Sequence, residues 1–436
     1  MWSEPGAVLR RAVRHPWVFG LALMLAHLML VMPILARHGF DASVFIVAGD
    51  HFVTATETPS RIIVRALSDG YDGQFYYRLA LAPLRPEAHA YGVTLDHPAW
   101  RAQRILYPLL ARLLSMGVPA MVPWAMFFIN LMGLVAIGAL GCRVAALYGL
   151  PPVVPLAIAL WPGWLVTLTH DTTEILAGAL LLGAVCAFAQ RRWVAYAMLM
   201  ALAALTRETA ILVAGGVFIR ESKQFFFEKK NQKTFAPTRY ALRQRVLQLI
   251  KVFASFFKKK RFLSLLFPVL PFLAWRETVA VLWHSTPQAH GVAENASWPL
   301  LGWAEILLAN LINHAIGAAA HPRGMLMRIT MLGAIGAISV FCVLTCRAAV
   351  AGLRPPGRMA GLALGWLFVL ALLSLFTANG PWVEPTAYAR AFAECWIVGW
   401  IVLGGFAQRP RVPPWVLAVW LPLMLRNWQL CWIQLK

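Results

Sequence analysis

The chain is poor in acid and nearly empty of the motifs that mark soluble enzymes. Only 18 of its 436 residues are Asp or Glu, and only 13% are charged, where about a quarter is usual for a soluble globular domain. No Gly-rich Walker loop or dinucleotide fingerprint occurs, which argues against a nucleotide as donor or cofactor. His97, His284, His290, His314 and His321 are scattered without HExxH or HxxxH spacing, so zinc is not expected. The six cysteines, Cys142, Cys186, Cys342, Cys346, Cys395 and Cys431, form no CxxC pair and nearly all fall in apolar runs. They read as small core hydrophobes. Lysine is almost confined to one place, with eight of nine between Arg220 and Arg261.

What fills the chain instead is apolar. It is 60% hydrophobic with 19 Trp and a mean hydropathy of +0.65, which predicts an all-α polytopic membrane protein. The first run, Trp17 to Ala36, has the roughly twenty residues that cross a ~30 Å hydrocarbon core. It ends in "MPILARHG", without a small-residue cleavage site, and is read as a retained helix. Arg10, Arg11 and Arg14 precede it, which places residues 1–16 in the cytoplasm and residues 37–104 outside.

Further spans are expected over Val118–Leu140, Pro151–Thr169 and Thr172–Ala189. Trp193–Ile219 is read as two short helices hinged at "TRET", because a single crossing would export the lysine-rich stretch that follows. Later spans start near Phe262, Met327, Ala360, Ala391 and Pro414, for about eleven in all. The expected organisation is a cytoplasmic N-terminus (1–16), a transmembrane core (17–219), a basic cytoplasmic loop of insertion-like composition (220–261) and C-terminal helices (262–436). Within the basic loop Leu242, Val246, Leu249, Phe253 and Phe256 recur at helical spacing, the pattern of a helix lying on anionic lipids. The formal charge of +21 thus reports membrane sidedness, and no nucleic-acid partner is expected.

This topology leaves only Glu4, Glu221 and Glu228 on the cytoplasmic side. Carboxylate chemistry must then be sought at the outer face. Residues 37–104 hold seven acids and seven arginines, a balance that predicts a folded, internally paired loop. In "SDGYDGQFYYRLALAPL" turn residues precede a helical run from Gln74, so Asp72 stands at or beside a helix start. On the residues alone Asp72 is either a cap or a functional carboxylate. "HDTTE" puts Asp171 and Glu174 at the outer end of spans three and four, where they are either a helix start or oxygen ligands. Arg207 lies in an apolar run, a costly position unless paired or functional; its partner would be the adjacent Glu208 or another outer carboxylate. Arg104 has Asp96 as its nearest counter-ion, and Arg390 in "PTAYARAF" is either a snorkelling residue or a ligand.

Four blocks, "YDGQFYYRLALAPL", "DHPAWRAQRILYPLLARLL", "HDTTEILAGALLL" and "LAALTRETAILVAG", resemble a bacterial family of GT-C-type membrane glycosyltransferases associated with cell-surface glycopolymer formation. The likeness covers about residues 69–216 and is only one of hydropathy beyond that. It implies a GT-C-like first outer loop with short interfacial helices, in a bacterial inner membrane protein whose active site faces the periplasm. It implies a polyprenyl-phosphate sugar donor and a glycan or lipid acceptor. The matching catalytic carboxylate is Asp72, with Asp69 as alternative; its role would be to take or orient the acceptor hydroxyl proton. Gln74, Tyr76, Arg104, Asp171, Glu174, Arg207 and Arg390 are the expected substrate-binding residues, the arginines facing the leaving phosphate. No cofactor is required by the likeness. A divalent cation on Asp72, Asp171 and Glu174 stays open, because some GT-C enzymes use one and others do not. The rival readings are a transporter or flippase of lipid-linked sugars, a polymer ligase, and a non-catalytic partner in polymer assembly.

Overall fold

In the computed structural model the first apolar run is one helix, α1 (Pro16–Arg37). Proline opens it where the absent N–H has no intrahelical partner to lose, and Arg37 closes it at the negative end of the helix dipole. The structure describes residues 15–231, 260–285, 300–301, 304, 308, 322–353, 359–375 and 389–406.

A small folded layer follows. Strand β1 (Ala48–Gly49) pairs in parallel with β2 (Val64–Arg65), helix α2 (Asp72–Leu81) succeeds them, and β3 (His89–Ala90) with β4 (Val93–Thr94) forms a short antiparallel ribbon. Helices α3 (Pro98–Ala102) and α4 (Leu106–Leu114) complete it. The layer has its own apolar cluster, in which Phe75, Tyr76, Tyr77 and Leu79 of α2 pack with Ile46, Val93 and Tyr107. Arg78 is buried among them, its guanidinium donating to the carbonyls of Ala82 and Glu87. The expected outer loop ended at residue 104. The layer instead runs on through α4, which is too short to span and leaves Leu113 and Leu114 exposed.

Helix α5 (Val122–Tyr148) comes next and stops at Gly149, whose left-handed backbone (φ 65°) suits glycine. The third expected span, Pro151–Thr169, is broken into α6 (Val153–Ala159) and α7 (Gly163–Thr169). Pro162, lacking an N–H, cannot continue the ladder there. Helix α8 (Glu174–Ala189) is followed by α9 (Trp193–Thr206) and α10 (Ala210–Asn231), which are separated at Arg207–Thr209, where the hinge was expected. The remaining described helices are α11 (Lys260–Leu266), α12 (Val269–Trp283), α13 (Pro322–Gly352), α14 (Ala360–Ser374) and α15 (Ala393–Phe406).

Among the described residues three helical stretches, Pro16–Arg37, Pro119–Tyr148 and Leu263–Trp283, are long and apolar enough to cross a membrane, and six other apolar helices are shorter. This is the make-up of a helical membrane protein. The span expected from Pro414 and the amphipathic stretch Leu242–Phe256 lie outside the described residues.

Apolar helices in lipid gain little from hydrophobic burial against one another, so close packing through small residues must hold them. Gly138 of α5 faces Gly20 of α1, and a Cβ at Gly20 would collide with the Val135 carbonyl. Gly216 of α10 lies on the backbone of Gly365 in α14 in the same way. Around α15 the packing is aromatic: Trp396 stacks on Trp161 at 4.7 Å between centroids and meets Phe341 at 4.5 Å. Three indole N–H groups there find a carbonyl, Trp161 on Ala389, Trp396 on Ala157 and Trp366 on Cys395, as buried indoles usually do, while that of Trp400 is buried without an acceptor among the described residues.

Candidate functional site

One cluster of charge is built where several helix ends meet. It takes Asp72 from the first turn of α2, Arg101 and Arg104 from and just after α3, and Glu174 from the first turn of α8. Arg207 and Glu208 come from the α9–α10 break, Arg390 from just ahead of α15 and Glu394 from its first turn. Burying this much charge is tolerable only where each group has a partner. Every one of them has.

Asp72 is the hub. Tyr71 holds the cap position of α2 without a side-chain cap bond, and the Asp72 carboxylate turns outward. Its Oδ1 accepts from Arg101 Nη1 at 2.7 Å and its Oδ2 from Arg390 Nη2 at 2.8 Å. The cap reading of Asp72 therefore gives way to a bridge between two guanidiniums. Arg390 reaches further, donating from Nε to Glu174 Oε1 at 3.0 Å, with its Nη2 at 2.9 Å from the same oxygen. Thr167 Oγ1 donates to the other Glu174 oxygen at 3.2 Å.

Arg207 and Glu208 face different ways. Arg207 has extended backbone (φ −156°, ψ 122°), and in extended chain successive side chains point to opposite sides. Arg207 turns inward, donating to the Arg390 carbonyl at 2.7 Å and lying 3.3 Å from Glu394 Oε2 and 3.7 Å from Glu174 Oε1. Glu208 turns to Arg104, which donates to it from Nε at 3.0 Å and from Nη2 at 2.7 Å, a two-pronged pair. Of the two pairings open to Arg207, the adjacent Glu208 gives way to other carboxylates at these helix ends, Glu174 and Glu394. The expected Arg104–Asp96 pair is replaced as well, because Asp96 is gripped at 2.9 and 2.7 Å by Arg101, whose guanidinium also lies over the Phe75 ring at 4.5 Å.

The electrostatics follow from these contacts. Burial raises the affinity of Asp72 for a proton, but the charges of Arg101 and Arg390 outweigh it and hold the carboxyl well below the usual range. Asp96 is held low by Arg101 against the same burial effect. Glu208, also buried, is brought down to about 2 by Arg104. All three are ionised at neutral pH.

Of the residues expected at the site, Asp72, Tyr76, Arg104, Glu174, Arg207 and Arg390 are brought together, Tyr76 through its hydroxyl at 3.4 Å from Arg104 Nη1. Asp69 stands apart: its side chain is 81% exposed and pairs with His51 at 2.7 Å. Gly70 at φ 66° turns the chain between Asp69 and α2, so the spacing of three does not put both acids on one helix face. Gln74 is a buried strut, accepting from Gly49 N at 3.0 Å and donating to the Asp69 carbonyl at 2.7 Å.

Asp171 is buried in the left-handed turn (φ 45°) between α7 and α8, against Asn130, where burial pushes its carboxyl well above the usual range. The three acids weighed as cation ligands are therefore not gathered. Asp72 and Glu174 share a guanidinium, Asp171 faces elsewhere, and among the described residues no group of three acids, histidines or cysteines is arranged to hold a metal.

Sequence reasoning passed over Arg101 and Glu394, and assigned Asp96 to Arg104. Arg101 had a signal, three residues before Arg104 in "RAQR". Glu394 had a stronger one, an acid inside the apolar run "AFAECWIVGW", where a carboxylate is costly without a partner.

Chemically the cluster offers guanidiniums suited to a phosphate and, in Asp72, a partly exposed carboxylate suited to a hydroxyl proton. No protein-family model matches the sequence and no curated protein does, so the GT-C likeness rests on the four sequence blocks.

Proposed function

We propose that the chain is a GT-C-like glycosyltransferase of about eleven spans in a bacterial inner membrane. It moves a sugar from a polyprenyl-phosphate donor onto a cell-surface glycan or lipid acceptor at the periplasmic face. The observation that carries this reading is the meeting of Asp72 with Arg390 and Arg101 at helix ends, with Arg104 and Arg207 beside them. In glycosyl transfer from a phosphate the bond to the anomeric carbon breaks as the acceptor oxygen attacks, and the leaving phosphate gains charge. Fixed cations at that phosphate and a carboxylate at the attacking hydroxyl are what lower the barrier.

Depth supports the reading too. Helices α8 and α9 have 16 and 14 residues, so they are about 24 and 21 Å long at ~1.5 Å per residue, against a hydrocarbon core of roughly 30 Å. A site at their ends would lie below the hydrocarbon boundary, open to a lipid-carried group drawn in from the bilayer. The basic stretch 220–261, rich in lysine, would rest on anionic lipids of the cytoplasmic leaflet.

The test is to incubate the purified protein with a panel of lipid-linked sugars and measure release of the free lipid phosphate. Asp72→Asn serves as the control and is expected to lower release by about 10²-fold or more, the range of general-base effects. No release from any donor, or equal release from the variant, refutes the assignment.

A further inference from the structure

Each of the four guanidiniums at the site already holds a carboxylate, so an arriving anion has to displace one. We propose that Arg390 is an exchangeable anion clamp: a phosphate group entering the site takes the place of Asp72 on Arg390, leaving Asp72 on Arg101 with one carboxylate oxygen released. The proposal rests on reading the site as one that receives a lipid phosphate.

Three features select Asp72 as the displaced group. Glu174, the other partner of Arg390, is only 1% exposed, whereas the Asp72 side chain is 19% exposed. Glu174 also contacts two atoms of Arg390 and the Thr167 hydroxyl, while Asp72 meets Arg390 through one hydrogen bond. Glu208, comparably open, is held to Arg104 by two bonds, so leaving costs it more.

Two further features keep the clamp in place during exchange. The backbone at Arg390 is fixed on both sides, since Trp161 donates to the Ala389 carbonyl at 2.7 Å and Arg207 to the Arg390 carbonyl at 2.7 Å. Arg101, the anchor left to Asp72, is itself gripped by Asp96. A phosphate on Arg390 would therefore find Asp72 adjacent, singly anchored, and with an oxygen newly able to accept a proton. Binding the donor and unmasking the base become one event. Held between two guanidiniums, Asp72 is a poor base until one of them is taken.

The exchange predicts an inverted affinity. The full-length protein in detergent would be titrated calorimetrically with citronellyl phosphate, with inorganic phosphate and with citronellol. Asp72→Asn, which removes the competitor, is expected to bind citronellyl phosphate about tenfold more tightly than the wild type, as when a competent state is freed. Arg390→Gln is expected to lose most of the binding, and the double variant to bind no better than Arg390→Gln alone. Glu208→Gln, folded as judged by thermal unfolding, should stay within about twofold of wild type.

Equal or weaker binding by Asp72→Asn overturns the exchange while leaving the transfer reaction standing, and so does a gain that appears in Glu208→Gln instead. If citronellol binds as tightly as its phosphate in every protein, both the exchange and the lipid-phosphate reading fall. A gain seen with inorganic phosphate as well assigns the clamp to the phosphate group itself; a gain confined to citronellyl phosphate assigns it to the lipid headgroup.

Discussion

Arg390 and Asp72 are 318 residues apart in the chain and meet through a single 2.8 Å hydrogen bond. That bond joins the last described helix to the folded layer near the N-terminus, and most of the expected behaviour of the site depends on it.

Arg207 is the buried cation between Glu174 and Glu394. Arg207→Met strips a charge from two buried carboxylates, and breaking such a set costs roughly 3–5 kcal/mol. Thermal unfolding in detergent should show a clear loss. Adding Glu394→Gln should restore part of it, and a double variant as unstable as the single one would mean that Glu394 is not the partner that matters.

The Arg104–Glu208 pair is closer to solvent, with the Glu208 side chain 24% exposed. Its coupling, read from a double-mutant cycle of Arg104→Gln and Glu208→Gln, is expected at about 1 kcal/mol in stability, at the upper end for solvent-touched pairs. Near-zero coupling would leave the two-pronged geometry without energetic weight.

Response to pH follows from the lowered carboxyls. Asp72, Asp96 and Glu208 all bind a proton less readily when folded, so their stabilising effect is complete above the ordinary carboxylate range, near 4. It is lost as pH falls through the folded values, about 2 for Glu208. Asp171, raised by burial, acts with the opposite sign and costs stability as pH rises above the ordinary carboxylate range, so unfolding temperature should hold or rise from about pH 8 to 5.5 and decline below about pH 4. A steep decline already between pH 7 and 5.5 would show that other groups govern acid stability.

The contact of α10 with α14 passes through bare backbone, since a Cβ on Gly216 overlaps Gly365. Gly216→Val should force these helices apart and reduce the monodisperse fraction on size-exclusion chromatography several-fold, whereas Gly215→Ala, whose Cβ meets nothing within 4 Å, should not. Equal behaviour of the two would separate the helices in the native protein.

Sidedness can be mapped independently. Reporter fusions at residue 240 should report cytoplasm and at Gly117, in the exposed turn after α4, the outer face. The reverse pattern would move the charged cluster to the cytoplasmic side and remove a periplasmic reaction.

Much of this site was legible because charge is expensive in an apolar chain. Arg207 announced itself by position alone, Glu174 and Arg390 were open between a helix-end role and a ligand role, and the break at "TRET" followed from where the lysines had to lie. The pairing pattern was not legible, for two reasons. Neighbouring side chains were matched to each other, whereas the extended backbone at Arg207 sends Glu208 the opposite way. Long-range partners such as Asp72 and Arg390 carry no local signal at all. The break in the third expected span was missed because hydropathy averages over Pro162, which interrupts the ladder without lowering the apolar content. Asp69 stood as the alternative to Asp72 because it lies three residues away, although Gly70 turns the chain between them and α2 begins only at Asp72.

Trp161 at the α6–α7 break holds the Ala389 carbonyl, and Arg390 follows directly. The ribosome must therefore deliver 318 residues beyond Asp72 before the cluster can close. A nascent chain that stops short of Arg390 leaves Asp72 and Glu174 deprived of their shared cation, so competence cannot precede insertion of the segment that carries it.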